Sequence, residues 1–270
     1  AIMSDTAYLK KEDYEEPCCP FEKPDRKETI PIGRVISRLD EYLNRNDLAA
    51  AERHLKYWRQ EADLCRDERG RLSILNEQIG LYRKMGRETE CNEAIESALR
   101  QLEALGMETS VTAGTTYINA ATGFSSFRHF DRALPLYESA RRLYEEKLPP
   151  SDYKLGGLYN NMAITLAALK RYPDAEELYS RAMAVMKQNK GTEGEIAVTY
   201  CNLADLAAVQ GNSPEDYLKK AEELLNAHIL PDNGYYAFIC EKCAPTFGYY
   251  GHKETEKALL KRAKEIYERN

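Results

Sequence analysis

Residues 160–186 read NNMAITLAALKRYPDAEELYSRAMAVM, and the residue before them is Tyr159. Large and small apolar residues fall at Tyr159, Ala163 and Leu166. After a short polar turn they fall again at Ala175, Tyr179 and Ala182. Both halves show the i, i+4, i+7 spacing of a helix face, not the two-residue alternation of a strand. The preceding segment repeats the pattern as Tyr117, Ala121 and Phe124, then Ala133, Tyr137 and Ala140, with every equivalent pair 42 positions apart. The physical logic is one of close approach. A small residue in the middle of the first helix lets a partner helix come near, and the large residues on either side fill the groove beside the contact.

The pattern extends outward in both directions. A second unit has Leu75, Ile79, Tyr82, Gly86, Cys91, Ile95 and Ala98. The first has Val35, Leu39, Tyr42, Asn46, Ala51, Leu55 and Trp58. A fifth opens with Tyr200, Ala204 and Ala207 and turns at Gly211-Asn212-Ser213-Pro214. A sixth runs from Gly234 through Ala244, Phe247 and Gly251 to a helix carrying Leu260 and Ala263. The spacing predicts an all-α chain of about six antiparallel helix pairs, with units near 32–71, 72–113, 114–155, 156–196, 197–233 and 234–270. One pair cannot bury its apolar face alone, so neighbours stack and stability becomes a sum of nearest-neighbour terms. Two irregularities are expected. Asp216-Tyr217 stands where the fifth unit's second helix should have a small residue, and Pro245 should kink the sixth unit's first helix by removing a hydrogen bond. Residues 1–31 stand outside the pattern as an N-terminal extension. Tyr8–Glu16 reads as a short acidic helix, followed by extended segments set by Pro17, Pro20, Pro24 and Pro31.

The spacing resembles the tetratricopeptide repeat family over roughly residues 32–269. RHFDRALPLYESARRLYEEKLPPSD (128–152) and residues 160–186 look like repeats of the kinesin-light-chain type, which run to about 42 residues in place of the family's usual 34. The resemblance implies a right-handed superhelical solenoid whose concave groove is lined by the first helices, holding a protein or peptide.

Composition narrows the function. The chain has 270 residues, 43% hydrophobic and 30% charged, with net charge −6. Nucleic-acid affinity rests on a Lys/Arg face, and the longest basic groupings are pairs such as Lys170-Arg171 and Lys219-Lys220. No nucleic-acid partner is therefore expected. No apolar run reaches the roughly 20 residues of a membrane helix, and seven cysteines without framework spacing read as reduced thiols, so a cytoplasmic protein with no membrane partner is expected. No phosphate-binding glycine motif, nucleophile elbow or His-Glu-x-x-His is present. The four histidines (54, 129, 228, 252) have no partner at a fixed spacing. The chain is thus expected to be no enzyme, with no catalytic residue and no cofactor. Cys240-Glu241-Lys242-Cys243, with His252 and Cys18-Cys19, is the one arrangement to weigh as a zinc site. The pair falls on packing positions, where cysteine acts as a small hydrophobe, and no metal is expected.

Asparagine carries the functional reading. Asn119, Asn161 and Asn202 each follow the repeat tyrosine by two residues, about 200° round the helix and off the packing seam. Asparagine is a mediocre helix-interior residue, so its recurrence calls for a reason. A carboxamide has one acceptor and two donors and can pair with both N–H and C=O of an extended peptide. In repeats of the kinesin-light-chain and peptide-pheromone-receptor types, asparagines so placed form such a ladder. The competing reading is that they bond each other, loops or water. Asn160, Thr122, Ile118, Ile164 and Asp205 complete the expected groove, with Val198 and Cys201 beside them. Arg83 and Lys84 are the only basic pair pointing the same way. The expected function is a peptide- or protein-binding scaffold. The alternatives are a ligand-responsive, peptide-sensing module and structural self-association as a homodimer.

Overall fold

The computed structural model describes residues 29–227 and 231–269. The expected N-terminal helix and extended segments before residue 29, Cys18-Cys19 and His228 lie outside those residues. Among the described residues there are twelve α-helices and no strand. They fall into two compact units, the first ending at residue 108 and the second running from residue 109.

The first unit contains α1 (Ile32–Asn44), α2 (Leu48–Cys65), α3 (Glu68–Lys84) and α4 (Glu88–Ala104). Consecutive helices pack on one another. Val35, Leu39, Tyr42, Ala51, Leu55 and Trp58 form a buried cluster with Ile74 and Leu81. The second unit contains α5 (Val111–Ser126), α6 (Phe130–Lys147), α7 (Tyr153–Ala168), α8 (Tyr172–Lys187), α9 (Glu193–Val209), α10 (Glu215–Asn226), α11 (Gly234–Tyr249) and α12 (Lys253–Arg269). Here the pairs α5–α6, α7–α8, α9–α10 and α11–α12 pack closely, and α6 on α7 and α8 on α9 join successive pairs.

One turn closes the first helix of all six pairs. Asp47, Arg87, His129, Arg171, Asn212 and His252 donate their backbone N–H to the carbonyls of Tyr42, Tyr82, Phe124, Leu166, Ala207 and Phe247, the wide closure of a Schellman motif. The residue before each donor is left-handed: Asn46, Gly86, Arg128, Lys170, Gly211 and Gly251. The repeated turn sets each second helix back against its first. Side-chain caps from Asp47, Asp67, Ser110, Asp152 and Asn233 then satisfy free N–H groups at helix starts.

Ala121, Ala163, Ala204 and Ala244 are fully buried, as close helix approach requires, with Phe124, Tyr137, Tyr179 and Phe247 filling the adjacent space. At Gly114 a Cβ would lie 2.4 Å from the Tyr144 ring, so only glycine admits that ring. The fifth pair is irregular in a specific way. Its second helix begins late, after Pro214, and buries Leu218, Ala221 and Leu225. Pro245 does not interrupt α11, which runs on through it to Tyr249, and Pro135 is carried inside α6 in the same way. Among the described residues no helix is long and apolar enough to cross a membrane.

Candidate functional site

The first helices of the second unit adjoin one another, α5 with α7, α7 with α9 and α9 with α11. The residues that face away from their packing seams therefore form rows across neighbouring helices. Asn119 on α5, Asn161 on α7 and Asn202 on α9 occupy one row, and all three are half-buried. Aligning Ala244 with Ala204 puts Lys242 of α11 next in that row. One turn further along each helix stand Thr122, Ile164, Asp205 and Pro245. A second turn on stand Ser126, Ala168, Val209 and Tyr249.

The three asparagines are not equivalent. Asn202 donates from Nδ2 to Oδ1 of Asn160 at 3.4 Å, a long bond from α9 back to α7. Asn160 is 6% exposed and lies among the buried residues of α7. Part of the expected groove thus takes the asparagine-to-asparagine pairing that competes with the ladder. Asn161 has only its backbone carbonyl engaged, by the Thr165 hydroxyl. Among the described residues its carboxamide meets no polar partner, although it is half-buried.

Other expected groove positions turn inward. Thr122 shares a hydrogen bond with the Tyr137 hydroxyl at 2.9 Å, and Ser125 bonds Thr165 at 2.7 Å between α5 and α7. Ile118 and Ile164 remain half-exposed, whereas Val198 and Cys201 are buried. The cause is the tight contact of α9 with α11, which also encloses Cys240 and Cys243. Burial pushes the Cys240 thiol up to about 11. The Cys243 thiol is raised by its hydrogen bond with Cys201 and by burial. These thiols are packing groups held protonated, in line with the hydrophobe reading. Arg83, exposed, and Lys84, half-buried, lie on α3 in the other unit.

Asp205 differs from the neutral residues around it. It reaches solvent, yet the helices around it withdraw enough water to raise its carboxyl pKa, against a hydrogen bond from Tyr250 that works the other way. Burial and the Asp205 charge together raise the Tyr250 hydroxyl. Tyr249, 81% exposed, meets the Tyr250 ring edge-on at 5.0 Å, and Val209, one turn beyond Asp205, is 59% exposed. The sequence reading missed Lys242, Val209, Tyr249 and Tyr250. Lys242 and Tyr249 are visible once the asparagine row is continued into the sixth unit, and Val209 once it is followed to the end of α9. Tyr250 shows only in three dimensions.

Residues 155–227 match the tetratricopeptide repeat family. The match covers α7 through α10, the stretch whose periodicity is clearest. A kinesin light chain-related protein of Arabidopsis thaliana is 26% identical over 154 residues, which cover 56% of this chain and 24% of the relative. The chain thus spans about a quarter of that relative's length. Among solved structures, a kinesin light chain of Podosopora anserina with nearly identical repeats superposes with TM-score 0.51 and 16% identity, over 73% of this chain and 94% of the other. NprR in complex with its cognate peptide NprX superposes with TM-score 0.59 and 14% identity, over 86% of this chain and 66% of the other. At these identities the likeness is one of fold, an all-α repeat of the kinesin-light-chain type.

Proposed function

We propose that the second unit is a scaffold that holds an extended polypeptide segment along the exposed rows of α5, α7, α9 and α11, and performs no catalysis. The observation that carries this reading is the asparagine row. Asn161 keeps a half-buried carboxamide unsatisfied by the protein, and Asn202 has one long bond for a group that can make several. Neither carboxamide is closed off from solvent, so each keeps donor and acceptor positions that a ligand backbone can take up. The spacing suits a backbone. First helices stand about 10 Å apart, and an extended chain advances about 3.3 Å per residue. Asn119, Asn161 and Asn202 would each meet about every third residue, with Ile118 and Ile164 flanking the side chains between. Support of a different kind comes from NprR, a protein of the same fold that was solved with a peptide bound. Arg83 and Lys84 belong to the other unit, and the proposal is confined to the second.

The test is a positional-scanning library of short synthetic peptides, presented to the full chain and to a variant with Asn119, Asn161 and Asn202 all replaced by alanine. Net hydrogen bonds contribute about 0.5–1.5 kcal/mol each, so the triple variant is expected to bind at least about tenfold more weakly, with an unchanged helical spectrum. Equal binding by the two proteins would move the ligand surface elsewhere.

A further inference from the structure

Asp205, Val209, Tyr249 and Tyr250 make a small constellation at the ends of α9 and α11, beside the asparagine row. Its parts favour one kind of guest. Asp205 is a carboxylate open to solvent, and among the described residues no Lys, Arg or His forms an ion pair with it. The groups that interact with it are hydroxyls, Tyr250 and the buried Tyr179, which are neutral and leave its charge uncancelled. Val209 and Tyr249, at equivalent places on α9 and α11, present large apolar surface to solvent, in a chain that buries most of its large apolar residues. The last turns of α9 and α11 end here, and a helix C-terminus carries partial negative charge that favours cations. A carboxylate, an aromatic ring and an aliphatic flank at two helix C-termini match a long cationic side chain. The stem lies on apolar surface, while the head group reaches the carboxylate and the ring face.

We infer that this end of the row is a subsite for a lysine or arginine side chain of the bound segment, with its head group on Asp205 and its stem against Val209 and Tyr249. The inference rests on the peptide-holding reading and adds to it the charge of the ligand and the place where that charge is read. The bound segment is then basic at one point and neutral where it crosses Asn119, Asn161 and Asn202.

The experiment uses the same peptide library with every amino terminus acetylated, probed with the parent chain, Asp205→Asn and Tyr249→Ala. The carboxamide in Asp205→Asn keeps an acceptor for Tyr250 and loses the charge. The parent should favour Lys or Arg over Gln at one fixed position by about tenfold, the scale of a charge-assisted hydrogen bond. Asp205→Asn should abolish that preference, bringing the Lys and Arg peptides down to the level of their Gln counterparts. Tyr249→Ala should reduce the preference and leave the helical spectrum and melting temperature unchanged. Peptides that bind without a basic preference, or a preference that survives in Asp205→Asn, would overturn this inference and leave the scaffold reading standing. A preference seen only with free amino termini would assign the subsite to a terminal amine and overturn it too. Absence of any peptide binding would sink both.

Discussion

Glu145 gathers three donors from three consecutive helices. Arg141 Nε at 3.0 Å, the Tyr159 hydroxyl at 3.0 Å and an Arg181 nitrogen at 2.9 Å all donate to its Oε1. Arg181 also donates to the Tyr159 oxygen at 2.9 Å and lies 4.4 Å from the centre of the Tyr159 ring. Burial alone would raise the Glu145 pKa, but the hydrogen bonds and the two guanidinium charges outweigh it and leave the carboxyl below its usual range. Burial, reinforced by that carboxylate, pushes Tyr159 up to about 12. A carboxyl depressed on folding stabilises the fold fully above its unfolded pKa of about 4.3. That contribution disappears as pH falls through the lower folded value. Glu145→Gln should therefore lower the melting temperature at neutral pH, and the gap from the parent should close below about pH 4. Melts at several pH values check this, and a gap that persists in acid would mean that the charge contributes nothing. The repeat register placed Tyr159 at a packing seam from sequence alone. The arrival of Glu145 and Arg181 at its hydroxyl is not legible there, because no fixed spacing joins the three.

At the scale of the helix and its turn, the six left-handed residues make one position comparable across the chain. Gly86, Gly211 and Gly251 adopt the conformation without a Cβ penalty, whereas Arg128 and Lys170 adopt it with φ of 65° and 61°. The left-handed conformation costs a residue with a Cβ about 1–2 kcal/mol. Gly86→Ala should destabilise by roughly that amount. Lys170→Gly should stabilise by up to about 1 kcal/mol, less the extra freedom glycine gives the unfolded chain. Denaturant titrations of the two variants should move in opposite directions, and a loss for Lys170→Gly would show that its side chain contributes more than its backbone costs. The turn itself was legible, since Asn46, Gly86, Gly211 and Gly251 mark it in four of the units. The bond from Asn202 to Asn160 was not. It joins a residue of the asparagine row to the neighbouring row of the previous first helix, a one-residue offset that depends on how the helices are inclined. The inward turn of Val198 and Cys201 escaped the sequence for a related reason. Period places residues on a face, while the closeness of α9 and α11 decides how much of that face stays open.

Across the repeat array, each pair is stabilised mainly by its neighbours, so a change in one pair should be felt most by the helices it touches. In the second unit α7 packs on α5, α6, α8 and α9, and α12 packs on α11. Ala163 lies in α7 with no exposed surface, at the position where Ala121, Ala204 and Ala244 also admit a partner helix. Ala163→Leu adds volume where there is no room, and overpacking of this kind costs about 1–3 kcal/mol. The loss should also be unevenly distributed. Amide exchange should accelerate in α5 through α9, where opening now requires less energy, and change least in α12, whose core of Leu259, Ala263 and Ile266 rests on α11. Thermal melts and hydrogen exchange measured on the same variant separate the possibilities. A uniform rise in exchange along the second unit would mean that it opens as one cooperative body. No loss of stability at all would mean that Ala163 is not the contact residue, and the register that placed Asn161 on the exposed row would fall with it.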